Sequence, residues 1–296
     1  MVCFLSNQLC SIMIQPYRIG AVIDKRSGTN ICMHDYHMHS NFSCDCRAAM
    51  SDMCQSALIQ GIPEIGFSEH YDLHPSEPCR DWFRPEPWWE ELERCRAQFA
   101  GNLIIRAGIE VGEPHLFPAE TTQMLARLPF DYVLGSLHWV GRDSMFDMNY
   151  FKTHEADLAY GSFFVELERM TRAGGFDILS HFDVPIRTAF AVYGHYAPTD
   201  FADLIRPILR NCIRHGIALD LNTSALRSRV NVLTPNLDIL RWYVELGGER
   251  VTLGSDAHKP IDVGSHLDVA LAIARAAGIK YLTYFEQRQA KLVPLP

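Results

Sequence analysis

The sequence predicts an α/β barrel, a parallel sheet wrapped by helices. Three observations carry that expectation. From Met33 onward, short apolar runs alternate with longer amphipathic stretches, which is the pattern of repeated βα units. The chain has 296 residues, 48% of them hydrophobic, and barrels of about 250 residues form a single domain. Residues able to bind a metal recur where the apolar runs stop, and in a barrel those ends converge on the C-terminal face.

The predicted strands are 33–39, 62–68, 103–110, 132–137, 176–180, 217–222 and 251–255. Between them lie predicted helices at 51–60, 87–100, 120–127, 155–173, 198–214 and 235–246, with a last helix near 265–277 and an apolar run at 281–285. Pro87, Pro198 and Pro235 sit where a first-turn proline is tolerated, and Gly61, Gly174 and Gly216 where a helix stops before the next strand. Residues 1–32 show no sustained period and are expected to be an N-terminal extension, disordered or preceding a translation start at Met33; residues 33–296 form the single barrel domain.

Composition narrows the function classes. The formal charge of -8 argues against a broad grip on nucleic acid, although one small phosphate can still bind at a local positive site. No apolar run approaches the roughly 20 residues of a membrane span, and no basic leader precedes a cleavage site. The nine scattered cysteines form no C-x-x-C pair, so reduced thiols in a cytoplasmic protein are expected, and Cys44 and Cys46 are not expected to be ligands. Walker A and dinucleotide fingerprints are absent.

The strand ends carry the chemistry. His37 and His39 close the first run two residues apart, the spacing that puts two imidazoles on one face of a strand, and Asp45 follows in the next loop. His70 follows the second run, Glu110 closes the third, His138 follows the fourth, His181 the fifth, and Asp256 with His258 the last. Any one of His70, His138 or His181 alone is explained by capping a backbone carbonyl, but recurrence at six of seven ends is not. The histidines at 34, 74, 115, 154, 195, 215 and 266 are expected in loops or helices with structural roles.

The strings DYHMHSNFSCD, GFSEHYD, GIEVG, GSLHW, SHFDVPIR, DLNTSALR and GSDAH, in this order, resemble the polymerase and histidinol phosphatase (PHP) metal-dependent phosphoesterases, and within them the monofunctional histidinol-phosphatases. The resemblance spans residues 33–296 and implies a distorted, TIM-like (β/α)7 barrel with three divalent ions, zinc, iron or manganese. It implies that His37, His39, Glu110 and Asp256 hold the first ion, that Glu110 bridges to a second held by His138 and His181, and that Asp45, His70 and His258 hold the third. Three divalent ions against three carboxylates leave about +3, which suits a phosphate dianion and a hydroxide bridging the first two ions for attack on phosphorus. Arg187 and Arg227 resemble the family's phosphate-binding positions, with surface ion pairs as their plain alternative. Asp183 is a candidate acid for the leaving alcohol or a partner that orients a ligand histidine.

The implied reaction is hydrolysis of L-histidinol phosphate to L-histidinol and phosphate, a step of histidine biosynthesis. The loop 81–89 offers an aromatic wall or acid to an imidazole, or Trp88 and Trp89 simply pack the next helix onto the barrel, the plainer role. Competing readings are a phosphodiesterase or nuclease of the same family, an amidohydrolase, and a metal-binding protein without activity. Amidohydrolases typically bridge their metals with a carboxylated lysine at the fourth strand end, where this chain has His138.

Overall fold

The computed structural model describes residues 33–296; the expectations for residues 1–32 lie outside the described residues. In chain order the elements are β1 (His34–Asp35), α1 (Met50–Gln60), β2 (Glu64–Tyr71), α2 (Pro85–Gln98), β3 (Ile104–Gly112), α3 (Pro118–Leu125), β4 (Tyr132–Ser136), β5 (Trp139–Val140), β6 (Asp143–Ser144), α4 (Met148–Thr153) and α5 (Ala156–Ala173). Then follow β7 (Ile178–Leu179), α6 (Ile186–Tyr193), α7 (Ala202–His215), β8 (Ala218–Asn222), α8 (Leu237–Glu245), β9 (Val251–Gly254), α9 (Leu267–Ala277), β10 (Tyr281–Glu286) and β11 (Gln289–Pro294).

Seven strands form one parallel sheet in the order β1-β2-β3-β4-β7-β8-β9. The two outer strands meet and close it. Tyr36 N donates to Leu253 O at 2.9 Å, and His39 N to Ala257 O at 3.0 Å. Met38 and Ala257 form a parallel bridge. The Asp35 carboxylate stitches the same seam by accepting from Ser255 N at 2.8 Å and Gly264 N at 2.9 Å. This is the α/β barrel the sequence predicts.

All seven predicted strands are present, with shorter bounds at the first and fifth. Regular pairing in β1 ends at Asp35, and the bridge at Met38 carries the extended chain onward, so His37 and His39 stand beyond the strand proper. His34 lies on β1 rather than in a loop or helix, and its Nε2 accepts from Leu253 N. Gly61 (φ 72°) and Gly216 (φ 68°) end α1 and α7 in the left-handed region, as expected of helix-stopping glycines. Pro235 does not start α8. Asn236 does, its Oδ1 accepting from Asp238 N and Ile239 N, both at 3.1 Å. The apolar run expected at 281–285 is β10, whereas its partner β11, the β5–β6 hairpin, α4 and α6 were not anticipated, because they are short or, for β11, mostly exposed.

The floor of the barrel is aromatic. Tyr36 and Tyr132 stack with ring centroids 4.8 Å apart, and Tyr132 Oη donates to Tyr36 O at 2.7 Å. Phe285 of the β10–β11 hairpin joins them and covers that end. Tyr132 fits only because Gly66 and Gly108 have no side chain, since a Cβ at either would overlap its ring. Gly108→Ala is expected to cost about 1–3 kcal/mol through this overlap; an unchanged urea midpoint would show that the Tyr132 ring has somewhere else to go.

Candidate metal centre

The parallel register gathers the strand ends. His70 on β2 and Glu110 on β3 are direct partners across the ladder. His138 lies two residues past β4, His181 two past β7, and Asp256 two past β9. Asp256 lies in the left-handed region (φ 53°), which is uncommon outside glycine although aspartate tolerates it better than most residues. Here its N–H is tied to His37 O at 2.6 Å and its Oδ2 to Arg187 Nη2 at 2.6 Å.

Glu110 is at the centre and fully buried. His37 Nε2 and His39 Nε2 each lie 3.5 Å from its Oε2, while His181 Nε2 lies 3.1 Å and His138 Nε2 3.5 Å from its Oε1. Asp256 Oδ1 lies 3.8 Å from His37 Nε2 and 3.6 Å from His39 Nε2. On the outer side, Asp45 Oδ2 is 3.5 Å from His70 Nε2 and 3.0 Å from His258 Nε2. All nine residues expected to be ligands thus meet at one rim.

The atoms suit metal ions better than one another. His37 Nε2, His39 Nε2 and Glu110 Oε2 are buried without hydrogen-bond partners, an arrangement that costs free energy unless something else satisfies them. Two ligand atoms each about 2.1 Å from one tetrahedral ion stand roughly 3.4 Å apart, which is the spacing seen. Potential ligand atoms lie within 4.8 Å of one another in the sets His37–His39–Asp256, His37–Glu110–His181, His39–His70–His258 and His70–Asp72–His138.

Charge is distributed to match. Burial alone would raise the Glu110 carboxyl, but the His37 and His70 rings, with hydrogen bonds from His138 and His181, hold it well below the usual range. Asp256 is held low in the same way, chiefly by Arg187 and His37 against its burial. Burial lowers His39 to about 3 and His181 to about 4, so both are neutral and ready to donate a lone pair. His37 and His138 are raised well above their ordinary value despite burial, because the acids around them favour the proton. Cations entering this cluster displace those protons.

Groups behind the cluster aim the rings. His37 Nδ1 meets Asp220 Oδ2 at 2.8 Å, His39 Nδ1 meets Ser43 Oγ at 3.1 Å, and His138 Nδ1 lies 3.4 Å from Asp72 Oδ1. Ser43 Oγ in turn donates to Glu69 Oε2 at 2.6 Å. The sequence reading missed these residues. Asp220 and Asn222 had a visible signal, since they sit at alternate positions of the one strand with no expected ligand; Asp72 had only proximity to His70.

Arg187 donates to Asp256 Oδ2 and, at 3.0 Å, to Asn222 Oδ1. Arg227 donates to Ser255 O at 2.6 Å and Asp256 O at 3.1 Å. Both line a cavity of about 260 Å³ together with Ser224, Asp256 and His258. A second cavity, of about 300 Å³, is lined by Arg187 with Asp45, His70, Glu110, His138, His181, Asp256 and His258, and also by Glu77, Phe146, Cys44 and Cys79. Arg187 is paired with the buried Asp256, and Arg227 also has Asp262 Oδ1 3.6 Å from its Nε.

Asp183 Oδ2 accepts from Tyr196 Oη at 2.7 Å while its Oδ1 is buried without a hydrogen-bond partner, and the residue is not among those lining either cavity. One expectation needs correction, the reduced state of every cysteine. The cysteines are not all reduced, since Cys44 and Cys79 form a disulfide with Cα atoms 5.7 Å apart. They are 35 residues apart and meet because β1 and β2 are neighbours, which no cysteine spacing announces. In the loop 81–89, Trp88 is buried against Phe83 and Phe130 and does not face the cluster, in line with the plainer packing role.

A parallel α/β barrel whose rim carries imidazoles and carboxylates around buried orphan lone pairs is a metal-binding hydrolase scaffold. The PHP domain model matches residues 35–224, and the chain belongs to that family. It is 28% identical over 261 residues to the histidinol-phosphatase of Lactococcus lactis, covering 85% of this chain and 93% of that one. It is 28% identical over 279 residues to a probable histidinol-phosphatase of Deinococcus radiodurans, covering 90% and 100%. The crystal structure of histidinol phosphate phosphatase from Lactococcus lactis, in complex with zinc, L-histidinol and phosphate, shares the fold with a TM-score of 0.80 at 22% identity, covering 88% of this chain and 100% of that one.

Two outcomes follow from the groups behind the cluster. Asp220→Asn is expected to weaken metal affinity by about 10- to 100-fold, read by competition with a chelator; undiminished affinity would mean that His37 needs no partner. Burial pushes the Asp183 carboxyl up to about 6 from its ordinary 3.8, against the Tyr196 hydrogen bond. A carboxyl raised on folding favours the folded state least when ionised, so its cost appears as pH rises through 3.8 and is complete above about 6. Asp183→Asn should therefore stabilise the metal-free protein by about 1–3 kcal/mol at pH 8 and by less at pH 5, measured by urea unfolding; equal effects at both values would refute the assignment.

Proposed function

We propose that this chain is a metal-dependent phosphomonoesterase that hydrolyses L-histidinol phosphate to L-histidinol and inorganic phosphate. The observation that carries the reading is the conjunction of two inward arginines with a buried imidazole–carboxylate cluster. The names of the relatives supply the substrate. In this reading His37, His39, Glu110 and Asp256 are one ligand set, Glu110, His138 and His181 a second, and Asp45, His70 and His258 a third, for three divalent ions of zinc, iron or manganese.

Bound ions would supply positive charge for the phosphate dianion and a water acidic enough to attack near neutral pH. The protein's own contribution is positional. Arg187 and Arg227 hold the phosphate oxygens, and Arg187 is itself fixed by Asn222 and Asp256, so its planar fork is already aimed when the phosphate arrives. Glu110 sets the distance between the first two sets, because each of its oxygens faces different histidines. Asp220 and Ser43 fix the rings of His37 and His39. In the net reaction water oxygen bonds to phosphorus, the ester P–O bond breaks, and a proton reaches the alcohol oxygen.

A small-molecule monoester fits a cavity of about 300 Å³ and a chain with a net charge of -8 better than a nucleic acid does. Among the described residues no helix is long and apolar enough to cross a membrane. The reading is tested by measuring phosphate release from histidinol phosphate, other monoesters, diesters and amides beside metal content. Histidinol phosphate is expected to be preferred, and a preference for diesters or amides would overturn the assignment. Glu110→Gln should lose bound metal and more than about 100-fold in kcat/KM together; a variant that stays active would show that Glu110 is no bridge.

A further inference from the structure

The two cavities are not lined alike. Arg227 lines only the smaller one, whereas Glu77 and Phe146 line only the larger. Glu77 is part of the loop after β2, and its carboxyl group is fixed in place. Oε2 accepts from Trp139 Nε1 at 2.9 Å, and Oε1 accepts from Cys79 N at 3.1 Å. The Trp139 ring is itself held, stacked on His74 at 4.5 Å with the planes 9° apart, and His74 Nε2 is 2.9 Å from Gly141 O. Cys79 is anchored by its disulfide to Cys44.

A carboxylate offers about four acceptor positions, so two hydrogen bonds leave Glu77 with capacity unused. None of the arginine, lysine or histidine ion pairs among the described residues involves it. Beside it in the wall is Phe146, an aromatic ring 47% exposed and 5.4 Å from the His138 ring. A preorganised acid and an open aromatic face, next to an arginine-lined phosphate subsite, form a recognition set for an amine-bearing, ring-bearing phosphate monoester.

We propose that Glu77 is a specificity-determining residue that accepts hydrogen bonds from the ammonium group of the substrate, with Phe146 as the wall for its ring. This rests on the phosphomonoesterase reading and assigns the recognition of one part of its substrate. A charge-assisted hydrogen bond in a partly enclosed site is worth about 10- to 100-fold in affinity.

The test uses the metal-loaded enzyme and two substrates, L-histidinol phosphate and the corresponding imidazolylpropyl phosphate without the amino group. The unmutated enzyme should prefer the amine by about 10- to 100-fold in kcat/KM, mainly through KM, and in Glu77→Gln that preference should collapse toward unity. Glutamine keeps an acceptor for Trp139, and Glu77→Asp, which keeps the charge on a shorter arm, should fall between; a merely structural role would lower both substrates alike in all variants. Full retention of the preference in Glu77→Gln overturns the proposal. An unmutated enzyme that hydrolyses both monoesters equally overturns it while leaving the phosphomonoesterase intact, whereas one that ignores both in favour of diesters or amides overturns the underlying reading as well.

Discussion

One buried carboxylate governs the architecture of the rim. Glu110 is inaccessible to solvent, yet it faces His37, His39, His70, His138 and His181 at 3.1 to 3.5 Å. Removing a carboxylate from water costs several kcal/mol unless charge and hydrogen bonds replace the solvent. Here protons on neighbouring histidines balance it when metal is absent, and cations would do so better, since they also satisfy lone pairs that no hydrogen bond reaches. A cluster of this kind is poorly suited to being a stabilising ion-pair network and well suited to a site that pays for its charge by binding something.

The carboxylate can stand there only because the barrel is closed and its floor is filled. Tyr36, Tyr132 and Phe285 occupy the end away from the cluster, and Gly66 and Gly108 admit the Tyr132 ring. At the other end the β1–β9 seam brings His37 beside Asp256 through the Asp256 N–H bond to His37 O. Asp35, one residue before Tyr36, locks the loop after β9 with two backbone hydrogen bonds. Stability and geometry are therefore served by the same seam, and loosening it separates ligands that come from opposite ends of the chain.

The sequence made the strand-end residues legible because a parallel barrel converts a one-dimensional pattern, a ligand after each apolar run, into a ring in space. It made their partners much less so. Asp220 acts from within a strand, where only its alternation with Asn222 marks it, and the Cys44–Cys79 pairing depends on the adjacency of β1 and β2 rather than on cysteine spacing. The β5–β6 hairpin, which carries Trp139 toward Glu77, consists of strands of two residues each, below the length at which alternation can be detected. Asp183 lies two residues after His181 and three before α6, where its Oδ2 accepts from Tyr196, a contact that no sequence pattern announces.

The ligand groups also differ in how firmly the fold holds them. His37, His39 and Glu110 are at most 1% exposed and sit on or directly beyond paired strands. In the outer set, the side chains of Asp45, His70 and His258 are 48%, 16% and 28% exposed, and Asp45 stands on a loop. The Cys44–Cys79 disulfide adjoins Asp45 and ties its loop to the one that carries Glu77. Loops are the mobile parts of such scaffolds, so under the proposed ligand sets an ion held by the outer one would exchange with solvent more readily than one held against Glu110. The same tether that steadies Asp45 also steadies the wall in which Glu77 stands, so the proposed outer ligand set and the proposed contact to the organic half of the substrate share one anchor.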